Sequence, residues 1–333
     1  MNDPFYPEEK PKRGRPSDRS LLWFSIGASV SLFFLFGLGM LIFLFAVPEN
    51  VPRAVIRTPL PTPPVVRLPD VQSDRGVLAF STNRQNAWQI HLIDAYGEQT
   101  VGLNDLTLID TAHSSWSPDG RQLAFQTINR RLGVIGADGM REYEQTGSML
   151  APAWSPDGTQ IAYTQYQDAS WDLYVITLDT ESIQRLTFHP SDDAYPSWSP
   201  NGDRLVFTSK RDGNEEIYLI DTNGENVRRL TDDADSDRHP VWSPDSTQIA
   251  FSSNRNGSGY DLWVMNANGT DARLLVESEG DNIMNDWSPN GTEIAFSTNR
   301  DGNWEIYLLT IASGELRRLT NNDAADQFAT WRR

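Results

Sequence analysis

The sequence predicts an all-β protein, a six-bladed β-propeller preceded by one N-terminal transmembrane helix. Three observations point there. From Gly76 onward a unit anchored on Trp-Ser-Pro returns about every 44 residues, the period of a four-stranded propeller blade. The 333 residues include 11 Trp, 10 Tyr, 14 Phe, 23 Gly and 20 Pro, so large side chains supply the core between many chain reversals. Finally, the 27 residues from Leu21 to Val47 contain no charge.

Residues 1–20 read as a short cytoplasmic tail and 21–47 as the membrane helix. At about 1.5 Å per residue the apolar run reaches roughly 40 Å, enough to cross a hydrocarbon core of about 30 Å with tilt. A cleaved signal has an apolar core of only about 7–15 residues, and Ala46-Val47 runs into Pro48, a poor cleavage site. Lys10, Lys12, Arg13, Arg15 and Arg19 precede the span, whereas Arg53, Arg57 and Arg67 are sparser after it. The positive-inside rule therefore puts the N-terminus in the cytoplasm and the rest outside. In a bacterial envelope that means the inner membrane, with the propeller on the periplasmic side. Residues 48–75 form a linker with seven prolines between Pro48 and Pro69, a semi-rigid extended spacer.

Residues 76–333 are the propeller. Its anchors are Trp116, Trp154, Trp198, Trp242 and Trp287, each followed by Ser-Pro-Asp or Ser-Pro-Asn, and Trp331 falls on the same period. The Trp closes a first strand. Ser-Pro-Asp-Gly makes a type I turn, with Pro setting φ at the second position and Gly favoured at the fourth. An apolar run ending in an aromatic follows as the second strand, at Phe80, Phe125, Tyr163, Phe207, Phe251 and Phe296. Segments such as Glu305–Leu309 and Arg228–Thr231 supply the third and fourth strands. Six aromatic-ended runs give six blades. The first copy has Val71 where its Trp should fall, and the last has an extra strand at Gln327–Trp331. That strand is expected to complete the first blade and remove an exposed sheet edge.

The unit W-S-P-[DN]-G-x-x-I-A-F-x-S-x-R-x-G-x-x-x-I-Y, followed by R-R-L-T, resembles the WD40-like repeat of TolB-type β-propellers. The resemblance spans residues 76–333 and excludes the first 75, where a membrane span and a linker replace the small domain of TolB. It implies a protein-binding task in the cell envelope.

Composition narrows the chemistry. There is no Cys, which excludes disulfides, thiolate metal sites and a Cys nucleophile. Net charge is −17, and residues 76–333 hold 19 basic against 38 acidic side chains, which argues against nucleic acid as a partner. No nucleophile elbow, phosphate loop or His-Glu-x-x-His helix is present. Of the four histidines, His113 and His239 stand three residues before a repeat Trp. The equivalent positions are Ala151, Tyr195, Met284 and Phe328, so the three-histidine metal cluster of the similar oligogalacturonate lyases is not expected there. Asp233, Asp235 and Asp237 alternate as in a calcium loop, but Arg238 follows where Gly belongs and no Glu closes the loop. The simpler reading is a solvated acidic loop, and calcium stays open. Arg84, Arg130, Arg211, Arg255 and Arg300 each end a second strand; an ion pair or backbone contact within each blade is a plainer account than an anion-binding ring. Asn256, Asn268 and Asn290 match glycosylation sequons but fall at repeat turns.

Strand order selects a binding face. The loops entering the Trp strands share one face with the loops between second and third strands. Asp193, Tyr195, Asp237, His239 and Asp326 are expected on those entering loops, around one mouth of the axial channel. The resulting expectation is a single-pass membrane protein whose propeller binds an envelope protein or peptide, without cofactor, metal or catalysis. The alternatives are a propeller-type hydrolase or lyase and the ligand-sensing ectodomain of a signalling partner.

Overall fold

The computed structural model describes residues 69, 71, 73–74, 76–84, 87–103, 109–144, 147–257, 259–277 and 280–333, with only the backbone at 109–112. The cytoplasmic tail, the helix at 21–47 and most of the proline-rich linker lie outside these residues. Among the described residues the chain forms 24 strands in six four-stranded antiparallel sheets.

Each sheet is one blade, and five are continuous in sequence. Their innermost strands are Ile109–Trp116, Ser148–Trp154, Asp193–Trp198, Asp237–Trp242 and Asn282–Trp287, in the second to sixth blades. The first blade takes its innermost strand, Asp326–Trp331, from the far end of the chain. It continues outward through Val77–Thr82, Gln89–Asp94 and Thr100–Gly102. Leu78 lies opposite Trp331 and Thr82 opposite Asp326. The Arg332 N–H donates to the Val77 carbonyl at 2.7 Å. Closure therefore occurs as the repeat count requires, and the innermost strands contact one another in a ring around the axis.

The repeated Trp holds neighbouring blades together. Trp116, Trp154, Trp198, Trp242, Trp287 and Trp331 are all buried, each in a cluster with residues of the preceding blade. Trp198 Nε1 donates to the Ala153 carbonyl at 3.0 Å and Trp287 Nε1 to the Val241 carbonyl at 3.2 Å. Fully burying such a side chain contributes several kcal/mol, since truncating a core Trp costs about 3–5 kcal/mol. Val71, read as the missing Trp position, is buried with Val77, Ile90 and Trp116. Packing of the propeller thus begins before Gly76.

The Ser-Pro-Asp-Gly turns form as read. Gly120 N donates to the Ser117 carbonyl at 2.9 Å, and the same bond recurs from Gly158, Gly202, Ser246 and Gly291. The fourth position is left-handed in each, +63° even at Ser246, which is why Gly dominates there. The Ser117, Ser155 and Ser243 hydroxyls donate to Asp119, Asp157 and Asp245 at 2.6 Å, and these bonds lower the three carboxyl pKa values. Turn chemistry likewise absorbs two sequons: Asn290 accepts from Thr292 N at 3.1 Å and Asn268 from Thr270 N at 3.1 Å.

Candidate functional site

The site grows from one backbone irregularity. Each innermost strand carries a β-bulge against its neighbour just before the Trp. At the position three before the Trp, Ala151, Tyr195, His239 and Phe328 have φ between +48° and +57°, a strained region for side chains other than Gly. The preceding blade holds the bulge in place. Tyr195 N donates to Thr164 Oγ1 and His239 N to Thr208 Oγ1, both at 3.1 Å. Met284 N donates to Ser252 Oγ at 2.7 Å and Phe328 N to Ser297 Oγ at 2.9 Å. A hydroxyl on the second strand of four blades thus aims the neighbouring blade's side chain at the axis.

Four aromatic rings from four blades meet there. Tyr195 stacks on His239 and Phe328 lies against His113, both with ring centroids 4.0 Å apart. His113 is 5.4 Å from Tyr195 and 6.2 Å from His239. These rings crowd together on the axis. Burial, then the charge of Arg238 and the neighbouring His113, hold His239 well below the ordinary imidazole pKa, so it is neutral at pH 7.

The structure corrects where the sequence reading placed these residues. Asp193, Tyr195, Asp237, His239 and Asp326 lie on the innermost strands themselves, not on the loops leading to them, and all five are buried. Tyr195 and His239 meet on the axis. The three aspartates instead begin their strands and pair with the repeated arginines of their own blades. Arg211 donates to Asp193 at 3.0 Å, Arg255 to Asp237 at 2.7 Å and Arg84 to Asp326 at 2.8 Å. Arg300 meets Asn282 in the same way at 3.0 Å. Within-blade ion pairs thus form in three blades, and Arg300 hydrogen-bonds a neutral partner in a fourth. Arg130 departs from this pattern, reaching Ser148 at 3.5 Å, and the third blade has Met149 at the aspartate position.

The acidic loop is organised around the same cation. Arg255 reaches Asp233 at 3.5 Å as well as Asp237, while Asp235 is exposed. Among the described residues no three His, Cys, Asp or Glu side chains are grouped as a metal would require.

Sequence reading missed a second layer of buried carboxylates, Asp172, Glu216, Asp261 and Glu305, at or near the start of third strands. Arg229 and Thr231 both donate to Glu216, and Arg318 and Thr320 repeat the arrangement on Glu305. The Arg-Leu-Thr of the repeat exists to satisfy this acid. The signal was visible: an acid stands thirteen residues before each of these arginines.

Beneath the aromatic layer lies an axial cavity of about 170 Å³. It opens towards a wider mouth of about 260 Å³ on the face of the Trp-Ser-Pro turns, rimmed by Pro118, Pro156, Pro200, Pro244 and Pro289. Arg333 lines both spaces. This mouth is on the face opposite to the one expected for binding, and of the five residues expected at a rim only Tyr195 and His239 line the cavity.

Residues 127–277 match the TolB beta propeller domain. The propeller is TolB-like. Solved structures agree in fold at low identity. TolB from Acinetobacter baumannii superposes with a TM-score of 0.66 at 20% identity, over 79% of this chain and 68% of that one. A protein described as TolB from Agrobacterium tumefaciens gives 0.60 at 17% identity, over 78% of this chain and 99% of that one. Oligogalacturonate lyase from Vibrio parahaemolyticus gives 0.55 at 14% identity, over 78% of each. No curated protein matches the sequence. The TolB-like fold is thus shared by proteins with and without enzymatic names, and the site has to decide between them.

Proposed function

We propose that this chain is a membrane-anchored, extracytoplasmic propeller that binds a protein or peptide of the cell envelope at the Trp-Ser-Pro mouth of its channel. The observation that carries the reading is the axial cavity. It adjoins a proline-rimmed mouth and is lined by Tyr195, His239, His113 and Phe328. A rigid rim around an apolar floor suits an inserted side chain or loop, since binding energy concentrates where an anchor fills a desolvated pocket. Asp193, Asp237 and Asp326 hold the innermost strands from behind rather than touching the partner. The uncharged run at 21–47 and the linker at 48–75 support tethering to the inner membrane with the propeller outside.

A lyase or hydrolase reading has the fold in its favour through the Vibrio neighbour. It finds little chemistry along the channel. His239 is buried against aromatic rings, and the aspartates nearest it are committed to arginines.

Affinity capture from solubilised membranes tests the proposal. Full-length protein is compared with a variant carrying Pro200→Glu and Pro289→Glu at the mouth, and with Phe188→Ser on the opposite face. Capture lost only in the mouth variant supports the reading. Capture lost only with Phe188→Ser assigns binding to the other face and overturns it.

A further inference from the structure

The residue immediately before each repeat Trp faces the axial cavity in all six blades: Ser115, Ala153, Ser197, Val241, Asp286 and Thr330. Only Asp286 is charged, and it is buried. A lone carboxylate in an otherwise small and neutral ring is not what repeat packing asks for, because its five counterparts hold the same backbone without it. Part of Asp286 is structural. Its Oδ2 accepts from Trp331 N at 2.9 Å and from Thr330 Oγ1 at 3.2 Å. Its Oδ1 accepts from Trp287 N and from Arg333 Nη2, both at 2.9 Å. The other terminal nitrogen of Arg333 donates to the Trp287 carbonyl at 3.1 Å. One carboxylate and one carbonyl thus grip a planar guanidinium at two points, a geometry that an ammonium does not match.

Arg333 is held differently from the arginines of the scaffold. Its side chain is 37% exposed, against 16% to 29% for Arg211, Arg255, Arg229, Arg84 and Arg318. It stands between the inner cavity and the outer mouth. Moving it outward would widen the passage between the two spaces and uncover the Asp286 carboxylate. Beyond it, the rings of Tyr195, His239 and Phe328 offer a floor for an apolar stem or a cation–π contact. The surrounding propeller is strongly acidic, which draws cations towards the mouth.

We infer that the axial cavity is a guanidinium-binding site, that Arg333 is its built-in occupant, and that an arginine side chain of a bound segment takes its place. The site itself stands apart from the protein-binding proposal; only its use by a partner's arginine rests on that reading. Arg333 acts as a competitor: the affinity seen for an external arginine is reduced by the fraction of molecules in which Arg333 fills the cradle.

The test uses full-length protein in detergent, with Nα-acetyl-arginine amide as probe and its neutral isostere Nα-acetyl-citrulline amide as control, read by titration calorimetry. Arg333→Ala should bind the arginine probe at least ten-fold tighter than the wild type. It should also bind it at least ten-fold tighter than the citrulline control. Adding Asp286→Asn, which keeps an acceptor for Trp331 N, should abolish the preference for arginine; if that double variant does not fold, the citrulline comparison decides. Equal binding of both probes by Arg333→Ala, or binding of neither, overturns the inference. Arg333→Gln is the second opening variant. Unfolding of both Arg333→Ala and Arg333→Gln also overturns it, because Arg333 would then be a strut and not a displaceable occupant. Probe binding without partner capture would leave the site standing and remove only the protein-binding reading.

Discussion

Arg255, at the end of a second strand, donates to Asp237 at the head of the innermost strand of the same blade at 2.7 Å. The aspartate is fully buried, and burial raises its pKa even though Arg255 opposes the shift. Such a pair is costly to break from one side, because the surviving charge loses its partner. Asp237→Ala should therefore destabilise the protein by roughly 2–4 kcal/mol, somewhat below a wholly enclosed pair because Arg255 keeps some contact with water. Asp193→Ala should behave alike. Urea unfolding checks this, and a change within about 0.5 kcal/mol, the ordinary range for surface substitutions, would place these residues at a surface site after all.

Deleting residues 327–333 removes the strand that pairs with Val77–Thr82 and the buried Trp331. Losing a core Trp alone costs about 3–5 kcal/mol, a large share of a typical 5–15 kcal/mol. The truncated protein should melt far lower or aggregate through its open sheet edge. Thermal melting of the two forms is the check.

Protonation of His239 gives a pH signature. Its folded pKa lies well below its unfolded value near 6.5, so below that pH the unfolded chain binds more protons than the native one. Stability is then complete above about pH 6.5 and falls on acidification, at up to about 1.4 kcal/mol per pH unit per histidine. His91, also lowered by burial first and then by Arg84, adds in the same direction. The raised pKa of Asp237 acts oppositely at lower pH, so the comparison is made against a variant. His239→Phe, which places in the fifth blade the residue that Phe328 already supplies in the first, should lose about 1 kcal/mol less than the wild type between pH 7.5 and 5.5. Urea midpoints at the two pH values measure it, and equal losses would show that His239 titrates normally.

Much of this fold was legible in the sequence because a repeat prints its constraints several times. Trp, Ser-Pro-Asp-Gly and the aromatic-ended run each serve packing or turn geometry within every blade, so their spacing sufficed to count blades and to predict closure by Gln327–Trp331. The site was harder, since it depends on departures from the repeat. The left-handed bulges at Tyr195 and His239 turn those rings across the axis, and a β-period of two does not reveal a bulge. The sequence named the right strands, but Asp193, Tyr195, Asp237, His239 and Asp326 lie within them and not on the loops before them. Asp286 was passed over because it matches nothing in the other blades, which is the property that singles it out.

Topology makes a separate prediction. Protease added to spheroplasts should digest the propeller while residues 1–20 remain protected, and the mature protein should keep residues 21–47. A protected propeller would reverse the orientation, and a chain beginning near Pro48 would mean that the apolar run is a cleaved signal.

The most direct measurement places a photo-reactive amino acid at Pro200 on the Trp-Ser-Pro mouth, and separately at Phe188, which is 70% exposed on the opposite face. After irradiation of living cells, the predicted result is a discrete protein adduct from position 200 and none from position 188. An adduct formed only from position 188, or none from either while the protein is folded and membrane-bound, would contradict binding at the channel mouth.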